Sequence, residues 1–148
     1  KIRPKGKSYH ISGFQDIMAT FAEIIDYKVG ENIDGISFLP TLLNEDQQKH
    51  EYLNWEYQLS GWFQNLPNGG FRQSVRMGDW KAVRYDLESN VELYNIKTDE
   101  EEKNNLAHLN PVIVEKAKSI FEKSRSDTDG FPYGGVIQDY KSMDRFEK

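Results

Sequence analysis

The chain is 148 residues long, 37% hydrophobic and 13% aromatic, a composition that can fill a packed core and excludes a disordered chain. Its net charge is −5, and its 19 basic residues are dispersed rather than gathered into a stripe, which excludes nucleic acid as a partner. No apolar run approaches the roughly 20 residues that span a bilayer, so no membrane partner is expected, and the lack of cysteine removes disulfides and thiolate chemistry together.

The chain opens on Lys1-Ile2-Arg3-Pro4, with no initiator Met or leader, and this gives the expectation of a piece of a longer protein. Ser12-Gly13-Phe14-Gln15 has the form of a capping box. After it Phe14, Ile17, Met18, Phe21, Ile24 and Ile25 recur at helical spacing, predicting a helix with one apolar face that Lys28–Asn32 closes. Thr41–Asn44 can form a short helical turn at most, and Asn44–Lys49 is a solvated polar run.

From His50 the period changes. His50–Tyr57 is predicted as a strand on its aromatics. A long connection follows, carrying Trp62, Phe63 and the turn residues Leu66–Gly70. Arg72–Met77 and Trp80–Tyr85 flank Gly78-Asp79, the signature of a type II′ hairpin, and pairing outward sets Met77 against Trp80 and Val75 against Ala82. Val91–Ile96 is a fourth strand. Asn110-Pro111 then opens a closing helix with a buried stripe of Ile113, Ala117, Ile120 and Phe121, and the tail from Ser126 to Lys148 reads as an extended strap. The order of helix, four strands and helix is an α+β pattern, a four-stranded antiparallel sheet packed with a C-terminal helix.

Little in the chain points to catalysis. His10, His50 and His108 lack the spacing of a metal site, no nucleophile elbow or phosphate loop occurs, and Asp127-Thr128-Asp129-Gly130 departs from a calcium loop. Glu100–Glu102 reads as a solvated face. Arg72, Arg76, Lys81 and Arg84 lie on the hairpin, where guanidinium groups can hold a sulfate bidentately or can simply cover the wet face of a sheet. Trp55, Trp62 and Phe63 can stack on a sugar ring or belong to the core. Arg72, Arg76 and Trp62 are therefore the candidate substrate-binding residues, with no catalytic and no metal position.

Five strings in order resemble the C-terminal region of formylglycine-dependent sulfatases. Asp16-Ile17-Met18-Ala19-Thr20 resembles D-[IL]-x-P-T, with Ala19 in place of Pro; Asp34–Pro40 resembles D-G-x-S-x-x-P; Tyr52–Glu56 is similar to the Y-W-E strand, with Asn54 in place of an aromatic. Val75–Lys81 is similar to [AV]-[VI]-R-x-G-x-[WY]-K. Glu92–Asn95, with Asp99, Glu102 and Asn105-Leu106-Ala107, is similar to E-L-Y-[DN]-L-x-x-D-P-x-E-x-x-N-L-A, with Glu100 at the Pro position.

The resemblance implies an alkaline phosphatase-like catalytic domain, with a formylglycine nucleophile and calcium, on polypeptide outside this chain. Residues 1–33 would be the end of that domain and 34–148 the sulfatase C-terminal domain. The implied partners are the N-terminal catalytic domain and a sulfated carbohydrate, and the implied location is periplasmic or extracellular. Three roles stay open: a buttress that helps shape the substrate pocket, a sulfated-carbohydrate-binding module, or a purely structural domain. Separated from its partner, the first helix is expected either to fold its apolar face onto the sheet or to associate with a second copy.

Overall fold

The computed structural model describes residues 2, 6–30, 32–58 and 71–125. The chain separates into two compact units, Lys1–Leu53 and Asn54–Lys148. The expectations placed on Trp62, Phe63 and the strap from Ser126 fall outside the described residues.

In the first unit, α1 spans Asp16–Ile24 and α2 spans Leu39–Leu43. The capping box does not form. Gln15 occupies the cap without a side-chain bond, and the Gly13 amide instead donates to the Asp16 carboxylate, 2.7 Å from Oδ2. An acidic side chain in the first turn answers the unpaired amides and the positive helix end more strongly than a hydroxyl would. The helix also ends earlier than its sequence suggests. Asp26 takes φ 56°, Tyr27 N–H bonds to Ala22 O at 2.8 Å and Asp26 N–H to Glu23 O at 3.2 Å, which is a Schellman closure with Asp at the left-handed position.

The orientation of α1 reverses the simple expectation. Asp16, Ala19, Thr20 and Ala22 are its buried residues, while Phe14, Met18, Phe21, Ile24 and Ile25 stand 86%, 57%, 64%, 49% and 71% exposed. The larger apolar side chains of the stripe are therefore its exposed ones.

The strands β1 (Leu53–Gln58), β2 (Phe71–Met77), β3 (Trp80–Arg84) and β4 (Glu92–Asn95) form one sheet in the order β1-β2-β3-β4. Met77 pairs with Trp80 and Val75 with Ala82, and Gly78 has φ 60° while Asp79 stays outside the positive region, as a type II′ turn requires. A 3₁₀ turn at Ala107–Leu109 leads into α3, Pro111–Lys123. Asn110 does not cap α3 with its side chain; its amide donates back to Leu106 O at 3.0 Å.

Strand alternation divides the sheet into two faces. Phe71, Gln73, Val75 and Met77 share one face with Ala82, Arg84 and Leu93, and α3 packs on β2 to bring Ala117, Ile120 and Phe121 into the same core. The opposite face carries Ser74 and Arg76 on β2, Lys81 and Val83 on β3, and Glu92 and Tyr94 on β4. The α+β architecture expected from the element order is the one observed.

Candidate functional site

The four hairpin cations do not share one wet face. Arg84 is only 6% exposed and lies on the core side, its guanidinium 4.9 Å from the centre of the Phe121 ring and its Nε donating to Gln73 Oε1 at 2.5 Å. Gln73, fully buried, donates through Nε2 to Glu56 Oε2 at 2.5 Å, and Arg125 reaches Glu56 Oε1 at 3.1 Å. Burying these polar groups is tolerable because charged hydrogen bonds answer them. The network fastens β1, β2, β3 and the end of α3 to one another. Its register explains the error: Arg84 pairs with Gln73, two residues beyond the Val75–Ala82 pair, so it must face inward.

Arg72 and Arg76 remain on the open face. Arg72 is engaged: its guanidinium lies 4.8 Å from the Tyr85 ring centre and its Nη1 donates to Phe71 O at 2.5 Å and Tyr85 O at 3.2 Å. Arg76 gives Nε to Gly78 O at 3.1 Å. Next to it, Lys81 Nζ pairs with Glu102 Oε1 at 2.5 Å. Arg76 and Lys81 are cross-strand partners, and together with Trp55, Ser74, Glu100 and Glu102 they line an open cleft of ≈ 630 Å³. Trp62, the third candidate residue, lies outside the described residues, and among those described it is Trp55 that brings an indole to these cations.

Glu102, read from sequence as part of a solvated face, is about one-third exposed and paired with Lys81. It sits at φ 55°, and the loop that holds it is fixed by Asp99, whose carboxylate accepts the amides of Lys103 at 3.1 Å and Asn104 at 2.8 Å. Those backbone bonds hold the Asp99 carboxyl below its ordinary range. Farther along the same face, Tyr94 and Tyr85 both donate to Glu92 Oε2, at 2.8 and 3.2 Å. Burial first, and then the Glu92 charge, push both phenols up, so they act as neutral donors.

In the first unit the acid-and-threonine string has a definite job. Asp16 Oδ1 accepts the Ile36 amide at 2.9 Å and lies 2.8 Å from His50 Nε2, while Thr20 Oγ1 donates to Asp16 O at 2.7 Å and accepts from Phe38 N–H at 3.0 Å. Two of the sequence strings thus bind each other, the side chains of Asp16 and Thr20 accepting the backbone amides of Ile36 and Phe38. The approach is close at Gly35, where a Cβ would fall 2.3 Å from Gln15 O. Gln47, placed by sequence in a solvated run, is half-buried and joins Thr41 to Ser37 through its amide. The His50–Asp16 contact was also not anticipated. Spacing along one helix could not have found a pair 34 residues apart.

Among the described residues no group of three or more His, Asp or Glu is placed to hold a metal ion. No helix of these residues is long and apolar enough to cross a membrane. Neither a family model nor a curated protein matches the chain. Solved structures do. The 2-O GAG sulfatase BT1596 is 27% identical with a TM-score of 0.62, over 74% of this chain and 23% of that one. The fold is similar to the C-terminal region of sulfatases.

A protein from Bacteroides thetaiotaomicron VPI-5482 described as a sulfatase is also 27% identical, with a TM-score of 0.61 over 72% of this chain and 23% of its own. A phosphonate monoester hydrolase from Silicibacter pomeroyi is 17% identical, with a TM-score of 0.66 over 93% of this chain and 31% of its own, and shows the shared fold. These neighbours belong to the alkaline-phosphatase-like superfamily. The chain spans between 23% and 31% of the length of these three structures.

Proposed function

We propose that this chain is the C-terminal part of a sulfuric ester hydrolase, and that it buttresses the catalytic part and helps shape the substrate pocket without supplying nucleophile or metal. The observation that carries the reading is the exposed stripe of Phe14, Met18, Phe21, Ile24 and Ile25, in a chain that spans about a quarter of the sulfatases sharing its fold. Five large apolar side chains on one helix face form a patch of the kind that marks an interaction surface. The remainder of the enzyme is the occupant this reading assigns to it.

The nucleophile and the calcium ion belong, on this reading, to that remainder. Sulfated glycans lie outside the cytoplasm, so the parent enzyme is assigned to the periplasm or the exterior. The test is reassembly: the separately produced catalytic part, assayed on an aryl sulfate, gains turnover when this chain is added. Equal turnover with and without it would contradict the buttressing role.

A further inference from the structure

The open face of the sheet holds a set of side chains that the bracing interactions do not exhaust. Trp55 is 40% exposed on β1, and Tyr57, two residues on and thus on the same side of the strand, is 51% exposed. Trp55 walls the ≈ 630 Å³ cleft whose floor and far side are Ser74, Arg76, Lys81, Glu100 and Glu102. Among the described residues the Nη atoms of Arg76 have no hydrogen-bond partner, so the planar fork remains available while Nε anchors it to Gly78 O. Lys81 and Glu102 present a donor beside an acceptor, at 2.5 Å and about one-third exposed.

Each feature selects a different part of one ligand. A flat indole offers an apolar plane to the C–H face of a pyranose. A paired ammonium and carboxylate match adjacent hydroxyls, which both donate and accept. A free guanidinium fork matches an oxyanion bidentately. The lining cations, Arg76 and Lys81, are balanced by Glu100 and Glu102, so the cleft has no net charge to attract a polyanion. Glu102 is also held at positive φ, a conformation that other residues of the loop sustain and that recurs where a side chain must be aimed.

We propose that this cleft binds one saccharide unit carrying a single anionic substituent: the ring rests on Trp55, the anion on Arg76 and the hydroxyls on the Lys81–Glu102 pair. The choice of sulfate as the anion rests on the sulfatase reading above, whereas the stacking platform does not.

The test is a titration of the ¹⁵N-labelled chain, followed by NMR, with a monosulfated disaccharide, its unsulfated counterpart and inorganic sulfate. The monosulfated sugar should shift the Trp55 indole N–H, identified with Trp55→Phe, and the amides of Ser74, Arg76 and Lys81, saturably at millimolar concentration. The unsulfated sugar should bind about tenfold more weakly, the scale of one charge-assisted bidentate contact. Arg76→Ala should erase that difference, and Trp55→Ala should weaken both sugars while leaving the remaining amide spectrum in place. The proposal is overturned if the Trp55 signal does not move, if inorganic sulfate reproduces the full set of shifts at equal affinity, if both sugars bind equally, or if either variant binds as the parent does. Such a failure would leave the sulfatase reading standing, because that reading is judged by turnover of the reassembled enzyme.

Discussion

A carboxylate at 0% exposure is stable only when its lone pairs are answered, and Asp16 is met by the amides of Gly13 and Ile36 and by His50. Burial pulls its pKa upward, but the two amide bonds and His50 outweigh that and hold it below the ordinary 3.8. Since the folded value lies under the unfolded one, the stabilisation is complete above pH 3.8 and disappears as pH falls from there through the folded value. Urea melts should therefore show an acid loss below about pH 4 that Asp16→Asn lacks, and that variant should lose roughly 2 kcal/mol at neutral pH. Parallel pH profiles for the two proteins would contradict this role. The sequence shows Asp16 and Thr20 as letters of a motif but not their partners, because Ile36, Phe38 and His50 lie 20, 18 and 34 residues from the atoms they meet. The same limit hides the Lys81–Glu102 pair, 21 residues apart.

The hairpin is the element most legible in advance, since the turn and the alternation that fix it lie within a dozen residues. Gly78 at φ 60° sets the register, and a side chain there meets open space, so the cost of replacing it is conformational alone. Gly78→Ala should destabilise the fold by about 1 kcal/mol, whereas Gly30→Ala, also in open space but without positive φ, should not. Equal melting temperatures for the two variants would refute the turn assignment. For α1, periodicity finds the stripe but not its direction. Ala19, Ala22 and Thr20 allow close backbone approach on one side, with Gly35 as the matching gap, and this small-residue face wins over the larger apolar one. Sedimentation of the isolated chain should accordingly show concentration-dependent association, lost in Phe21→Asp/Ile25→Asp, and a strict monomer at all concentrations would count against the stripe as an interaction surface.

For the molecule as a whole, length and the order of elements already indicate an α+β body. What composition could not supply is how the basic residues divide between faces. Arg84 enters the core, Arg72 clamps carbonyls beside Tyr85, and Arg76 alone of the three keeps its fork on the cleft. The braces at Glu56–Gln73–Arg84, Lys81–Glu102 and Asp16–Thr20 account for most of the recognisable strings as fasteners of the fold. On the proposed reading, the groups that attack sulfur and hold the metal belong to the remainder of the enzyme. The most direct measurement is sulfate release from an aryl sulfate and a sulfated disaccharide by the purified 148-residue chain, with and without added calcium. The account predicts no turnover above the uncatalysed rate in either condition, and calcium-dependent release of sulfate by this chain alone would contradict it.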